Sequence, residues 1–327
     1  YDVAIIGAGV VGSAIARGLI EYNLKVAVLD RAADVVSGTS GKNSGVVHTG
    51  INVPVDSLKS KYNIRGAELF EQYCEDLDVP FKRCGKLIVA LTEDELPDLD
   101  ALKAKGESIG VKRLEIIDRD RLKEMEPNIE GLGAINIPTA AIVSPYTLNI
   151  ALAESSAAGG VEFMLETPVI GITGEQGAFE LETPRGNVSA ALIVNSAGLF
   201  ADKIARMVGV TRWRIWPCRG EYIILDKSLS GIVNSMVYPV PPKGGPGLGI
   251  HITPTTDGVV LLGPSADYTN DGDDVRTTAK VRRQLLTEAS EFLPGLTYRH
   301  AITSYSGMRP KLVPSSVGGF GDFVVEE

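Results

Sequence analysis

A glycine-rich turn, three histidines and an arginine set between a glycine and a proline are the residues of this chain best suited to chemistry. Gly7-Ala8-Gly9-Val10-Val11-Gly12 fits the spacing G-x-G-x-x-G. A short β-branched run, Asp2 to Ile6, precedes it, and a stretch of helical composition, Ser13 to Glu21, follows. The next apolar strand, Lys25 to Leu29, is closed by Asp30. In such a βαβ unit Gly7 permits the tight turn, Gly9 lets the backbone approach a pyrophosphate, and Gly12 lets helix and strand pack closely. The helix N-terminus then stabilises phosphate charge, and Asp30 can hydrogen-bond the hydroxyls of an adenosine ribose. The unit reads as a dinucleotide site. The neighbouring Arg31 opens the alternative of an NADP 2′-phosphate, which the charge of Asp30 opposes.

The segment Gly38 to Gly50, with Ser40, Lys42, Asn43, Ser44, Gly45 and His48, combines hydroxyls, one cation and several glycines. That composition suits a backbone passing closely over an anionic, planar ligand; a generic flexible loop is the plainer alternative.

These residues sit in a chain of 327 residues, long enough for one large core or two smaller ones. Apolar residues make up 44% and charged residues 22%, an ordinary globular composition. With 32 Lys plus Arg against 41 Asp plus Glu, the formal net charge is −9, which repels phosphate backbones and argues against a nucleic-acid partner. Cys74, Cys84 and Cys218 are odd in number and lack C-x-x-C spacing, so a disulfide scaffold, a zinc ribbon and an iron–sulfur cluster are poorly supported. A metal site is not expected, and the reducing cytoplasm is the natural compartment. No apolar run approaches the roughly 20 residues of a membrane span, so no integral membrane segment is expected. Strand-like sequence from residue 2 argues against a signal peptide.

The elements that must position the chemistry alternate in type. Helical stretches are expected at Leu58 to Leu77, Glu93 to Lys105, Asp120 to Glu126, Pro145 to Ala158 (with Ser144 as N-cap) and Thr277 to Phe292. Strands are expected at Lys86 to Leu91, Leu114 to Ile117 and Ala134 to Ile137. A β-rich block follows at Val161–Leu165, Val169–Ile172, Phe179–Glu182 and Ala191–Val194. Further strands are expected at Tyr222–Leu225, Met236–Tyr238, Gly249–Thr253 and Gly258–Leu262, with Asp257-Gly258 as a hairpin turn signal. Nucleotide-binding features near 1–50 and again near 191–202, separated by mixed α+β sequence, point to two interleaved domains.

The glycine turn with Asp30, followed by Ser40-Gly41-Lys42-Asn43-Ser44-Gly45-Val46-Val47-His48, resembles the flavin-dependent D-amino-acid oxidase superfamily. Within it the chain is most similar to the branch containing L-2-hydroxyglutarate dehydrogenases and anaerobic-type glycerol-3-phosphate dehydrogenases. Cys84-Gly85-Lys86-Leu87-Ile88-Val89-Ala90 looks like that branch's first substrate-domain strand. Ile142-Val143-Ser144-Pro145-Tyr146 also matches, although Ala141 stands where some relatives carry glycine. Val194-Asn195-Ser196-Ala197-Gly198, then Asp202, resembles a second flavin-contacting strand and turn. Arg219-Gly220-Glu221-Tyr222, Gly249-Ile250-His251-Ile252-Thr253 and Gly307-Met308-Arg309-Pro310 complete the set.

The resemblance implies FAD as cofactor. Gly7, Gly9 and Gly12 would contact the pyrophosphate, Asp30 the ribose, and Ser40 and Ser44 the phosphates. Val169 would reach the adenine through its backbone, Ala197 and Gly198 would pass beside the dinucleotide, and Arg31, Lys42, Asn43 and Gly45 complete the cofactor set. The implied fold is α/β, a Rossmann-like, glutathione-reductase-like FAD domain (1–80, 145–212 and 306–327). It interleaves with an α+β substrate domain on a mostly antiparallel sheet (81–144 and 213–305). Such proteins continue past Phe320-Gly321-Asp322-Phe323-Val324-Val325 with a glycine-rich strand–turn–helix against the flavin. The expectation is therefore of a flavin domain shortened at Glu327.

The implied reaction is hydride transfer from a small anionic hydroxy substrate to flavin N5. Glycerol-3-phosphate is the first expectation, L-2-hydroxyglutarate the second and an amino acid the third. Electrons would pass to a quinone, another protein or oxygen, in the cytoplasm or peripherally at a membrane. Such chemistry needs a base for the hydroxyl proton and a cation for the anionic end. His251 and His48 are the base candidates, each readable also as a structural histidine. His300, beside Arg299, reads as surface or helix-end structure. Arg309, in a Gly-Met-Arg-Pro turn, is the expected anion clamp because a guanidinium offers a planar two-pronged fork. Arg219 and Tyr222 are further substrate candidates. Rival readings are a nicotinamide-dependent dehydrogenase and a non-catalytic FAD-bearing electron-transfer subunit.

Overall fold

The computed structural model describes residues 1–241, 248–319 and 321–327, so Phe320, the first residue of the C-terminal apolar stretch, lies outside the described residues. Val3–Ile6 lies at the centre of a four-stranded parallel sheet, between Leu192–Asn195 and Val26–Leu29, with Glu162–Met164 at the edge. All four residues of both VAII and VAVL are buried. Layers on both faces of the sheet explain why these strands are continuously apolar rather than alternating. One layer holds the helices Val10–Leu19 and Pro145–Ala158, where the buried Ser156 hydroxyl donates to the Ser13 carbonyl. The second helix starts and stops where the sequence indicates, with Pro145 in its first turn and Ser144 accepting from the Thr147 N–H. The β-rich block divides. Gly171–Glu175, Ala178–Glu182 and Val188–Ala190 form a separate antiparallel sheet, and the chain then returns at Leu192–Asn195 beside the first strand.

A second, larger sheet runs in the order Asp267–Tyr268, Trp216–Leu225, Val260–Gly263, His251–Pro254, Met236–Pro239, Lys86–Ala90, Gly133–Ile137, Glu115–Asp118. Its pairings are antiparallel except that of Met236–Pro239 with Lys86–Ala90. The run KLIVA is buried throughout. Leu87 and Val89 join one apolar cluster and Ile88 and Ala90 another, so alternation places Lys86 on the face of Ile88.

The segment Gly307–Pro310 is not the turn that its glycine and proline suggest. It lies inside the strand Ala301–Lys311, which pairs antiparallel with Trp216–Leu225 nearly end to end. Proline is tolerated there because Pro310 faces Pro217, near the strand end, where neither residue has an N–H to offer the ladder. The strand crosses residue 306, where the sequence reading divides the domains, and stays in the large sheet to Lys311. A small antiparallel sheet of Val46–Val47, Ala141–Val143 and Phe81–Lys82 ties the loop after the glycine turn to the second sheet's half of the molecule. No helix among the described residues is long and apolar enough to cross a membrane.

Candidate active site

The glycine turn is built as the spacing requires. Gly7 has φ +106°, and a methyl on Gly12 would sit 1.9 Å from the Gly7 carbonyl oxygen. The Ser40 hydroxyl accepts from the Val10 N–H at 2.9 Å, which leaves its own proton for another acceptor. No acceptor among the described residues meets the first-turn N–H groups of Val11 and Gly12. The Asp30 carboxylate accepts from Ala8 N at 2.7 Å and Ala32 N at 2.8 Å, one bond to each oxygen, with lone pairs left over. Ala197 packs against Gly7, where a methyl on Gly7 would meet its Cα at 3.0 Å. Unpaired backbone donors at a helix start, a side-chain-free cradle and a carboxylate one strand away fit the pyrophosphate and ribose of FAD. Arg31 turns to Asp273, 2.6 Å away, and lies over the ring of Phe200. Val169 packs in the apolar cluster beneath the antiparallel sheet.

The loop 39–45 is fastened to the strand Ala301–Lys311. The Thr39 hydroxyl donates to the Met308 carbonyl at 2.6 Å, and the Tyr305 hydroxyl donates to the Asn43 carbonyl at 3.0 Å. The Asn43 side chain donates to the Ser40 carbonyl and accepts from the Gly45 N–H. The Lys42 carbonyl lies so close to Gly307 that a methyl there would stand 2.0 Å from it. Glycine is required at 307 for this approach.

Between this loop and the large sheet is a cavity of about 350 Å³. Among its lining residues are Asn43, Ser44, His48, Tyr222, His251 and Arg309, which are 266 residues apart at the extremes of the sequence. Tyr222 and Arg309 share it for a structural reason. In the register Tyr222 opposes Tyr305, Gly220 opposes Gly307 and Cys218 opposes Arg309, so alternate residues of both strands face the cavity. Gly220 makes room for the guanidinium, since a methyl there would lie 2.6 Å from Arg309 Nη2. Arg309 Nη2 also donates to the Ser265 carbonyl at 3.0 Å, which fixes the fork. Tyr222 stacks on Tyr305 with centroids 4.8 Å apart.

Arg219 is a correction. It is one residue out of phase with Tyr222 and Gly220, so its side chain lies on the other face of the sheet. There it pairs with Asp274 at 2.7 Å and Glu221 at 3.6 Å, and it does not line the cavity. His300 ends a short 3-10 turn and accepts from the Thr297 N–H, a helix-end role as read from the sequence. Among the lining residues with a polar or charged side chain, Tyr238 and Lys311 escaped the sequence reading. Strand alternation carries the signal for Lys311, two positions beyond Arg309 on the same face. Tyr238 was visible only as a strand end.

Arg309 and Lys311 in its lining make the cavity electrostatically positive. Burial, then the neighbouring His48, Lys86 and Arg309, holds the His251 imidazole well below its ordinary pKa. Its Nδ1 is buried without a partner among the described residues. Desolvation by the surrounding protein, then Lys86, lowers the His48 imidazole as well, although part of its side chain is exposed to the cleft. Both imidazoles are neutral near pH 7 and so able to accept a proton. Burial raises the Tyr222 hydroxyl despite the opposing pull of Arg309 and Ser44. No group of three or more metal-ligating side chains occurs among the described residues.

A family model described as FAD dependent oxidoreductase (DAO) matches residues 2–327. The chain is 36% identical over its whole length to a glycerol 3-phosphate dehydrogenase of Caloramator mitchellensis, of which it covers 67%. It is 37% identical, over 81% of its length, to the mitochondrial L-2-hydroxyglutarate dehydrogenase of Homo sapiens, covering 61% of that protein. Among solved structures, the L-alpha-glycerophosphate oxidase of Mycoplasma pneumoniae with FAD bound superposes with a TM-score of 0.88 at 27% identity. That match covers 95% of this chain and 83% of the oxidase.

Proposed function

The chain belongs to the DAO family of FAD dependent oxidoreductases, and from that premise we propose that it oxidises the hydroxyl carbon of a small, multiply anionic alcohol. FAD, when bound, supplies the hydride acceptor. The observation that carries the reading is the convergence of Arg309, His251, His48 and Tyr222 on one cavity beside the dinucleotide cradle. The chain spans 67% and 61% of the lengths of the two dehydrogenases it resembles, so activity and substrate are assigned here as a proposal about the whole protein.

Each residue has a role in this reading. Gly7, Gly9, Gly12 and the helix start take the pyrophosphate, Asp30 the ribose, and Ser40 a phosphate oxygen. The backbones of Val169, Ala197 and Gly198 run beside the dinucleotide, and the loop 42–45 covers it. Arg309 holds the substrate's anion with its fixed fork, and Lys311 adds a second cation on the same face. The neutral His251, or His48 across the cavity, accepts the hydroxyl proton. Tyr222, kept protonated, donates to the substrate.

Glycerol-3-phosphate is the preferred substrate, because two cations on one wall suit a dianionic phosphate. It is also the substrate class named for the relative that matches the whole chain. L-2-hydroxyglutarate, with two carboxylates, is the second choice. Steady-state turnover of the FAD-loaded protein with an artificial electron acceptor decides between them. A kcat/KM for glycerol-3-phosphate exceeding that for L-2-hydroxyglutarate and for glycine supports the assignment. A preference for glycine makes the protein an amine oxidase instead.

A further inference from the structure

One charged side chain beneath the cavity has no part in the roles above. Lys86 opens the buried run KLIVA and is itself 1% exposed. Its Nζ lies 4.9 Å from the centroid of the Tyr238 ring, and that ring in turn stacks on His251 with centroids 3.7 Å apart. The contact made by this ammonium among the described residues is with the Tyr238 ring, and burial, with no carboxylate opposing it, governs its titration. Burying a cation without an anion is costly, and a methionine or leucine would fill the same space on the apolar face of Ile88 at no such cost. A charge kept there against that penalty is matched best by an anion bound in the adjacent cavity.

We infer that Lys86 is a positioning residue, whose buried charge behind Tyr238 and His251 attracts the substrate's anion into the cavity and keeps His251 unprotonated once that anion is bound. The inference rests on the anionic-substrate reading above. Without the Lys86 charge, the substrate's anion would draw a solvent proton onto the imidazole, which could then no longer accept one from the substrate's hydroxyl. With it, the anion is neutralised and the base stays free. Burial brings the Lys86 ammonium down to about 8, so it is charged at neutral pH and loses that charge under mildly alkaline conditions.

The test compares Lys86→Met with Lys86→Arg in the full-length, FAD-loaded protein, with flavin content and circular dichroism as folding controls. KM and kcat are measured from about pH 6 to about pH 10, spanning the ordinary values of histidine and lysine. In the unmodified protein KM for the anionic alcohol rises as pH passes about 8. Lys86→Met starts roughly tenfold higher in KM and shows no such rise, and its acid limb moves up by about one pH unit. Lys86→Arg keeps the low KM into the alkaline range, because guanidinium does not titrate there.

Other groups face the same space: Cys84 on the Lys86 segment, Tyr238 on the neighbouring strand, Tyr222, Arg309 and Lys311 on more distant strands of the same sheet, and His48 on the loop. Of these, burial lowers Lys311 as well, so Lys311→Arg is the control. If the alkaline rise disappears in Lys311→Arg and persists in Lys86→Arg, the inference is overturned. It is also overturned by a Lys86→Met profile that coincides with that of the unmodified protein.

Should no alcohol reduce the flavin, the functional reading fails, and imidazole NMR then tests Lys86 separately. With only three histidines in the chain, His251 is directly assignable by its Asn variant. His251 must begin to protonate at higher pH in Lys86→Met than in the unmodified protein, and coincident titrations refute the coupling.

Discussion

The ring of Tyr238 lies flat against the imidazole of His251, with centroids 3.7 Å apart and planes within 13°. His251 is thereby clamped on one face in a buried wall while its Nδ1 remains without a partner among the described residues. A histidine held rigid, neutral and unsatisfied beside a cationic cleft is arranged to receive a proton. Replacing it with asparagine should lower kcat by roughly 10²–10⁴-fold, the usual contribution of a positioned base. FAD content should stay unchanged. A variant with unimpaired kcat would transfer the role to His48, whose own asparagine variant is the companion measurement.

The cross-strand glycines give a second prediction. A methyl at 220 would lie 2.6 Å from Arg309 Nη2 and 3.0 Å from its Cζ, so Gly220→Ala should push the guanidinium out of its seat. KM for the anionic substrate should then rise with little loss of flavin, in the same direction as Arg309→Ala. The arginine truncation itself should weaken binding by about 2–5 kcal/mol, the range for removing one partner of a desolvated charged contact. Substrate titrations of both variants check this. Unchanged affinity in Arg309→Ala refutes the clamp.

The cofactor cradle is tested at Gly12. An added methyl meets the Gly7 carbonyl oxygen at 1.9 Å, a backbone atom that cannot swing aside. Gly12→Ala should purify with little FAD and should not recover it on reconstitution. Asp30→Ala, which frees the N–H groups of Ala8 and Ala32, should instead weaken FAD without abolishing it. Flavin-to-protein absorbance ratios after desalting distinguish the two outcomes.

Acid should weaken the fold through His251. Its pKa is depressed in the folded state, so the unfolded chain binds the extra proton first. Stability is therefore full above the unfolded value of about 6.5 and declines as pH falls below it, by about 1.4 kcal/mol per pH unit for this one group. Thermal midpoints measured from neutral to mildly acidic pH should fall more steeply in the unmodified protein than in His251→Asn. Parallel slopes would contradict a buried neutral imidazole.

The βαβ unit was legible because its glycines, flanking strands and Asp30 each obey a local steric rule. The helix Pro145–Ala158 was legible because Ser144 and Pro145 mark its start without reference to the rest of the chain. The strand Ala301–Lys311 was not, because Gly307 and Pro310 are turn residues whose justification lies across the sheet, in the Lys42 carbonyl and in Pro217. Arg219 entered the candidate set with the stretch Arg219-Gly220-Glu221-Tyr222. Counting faces along the strand removes it, and the same counting brings in Lys311. Lys86 was hidden inside an apolar run, where a single cation reads as the strand's first residue. Its meaning depends on Tyr238 and His251, more than 140 residues away, which no local pattern reveals.

The central claim is that one cavity holds an anionic alcohol through Arg309 against bound FAD. The most direct measurement is the visible spectrum of the FAD-loaded, full-length protein during anaerobic addition of glycerol-3-phosphate, alongside Arg309→Ala. The account predicts loss of the flavin absorbance in the unmodified protein at low substrate concentration, and in the variant only at concentrations at least tenfold higher. A flavin that stays oxidised with glycerol-3-phosphate and L-2-hydroxyglutarate alike, or a variant reduced as readily as the unmodified protein, would contradict it.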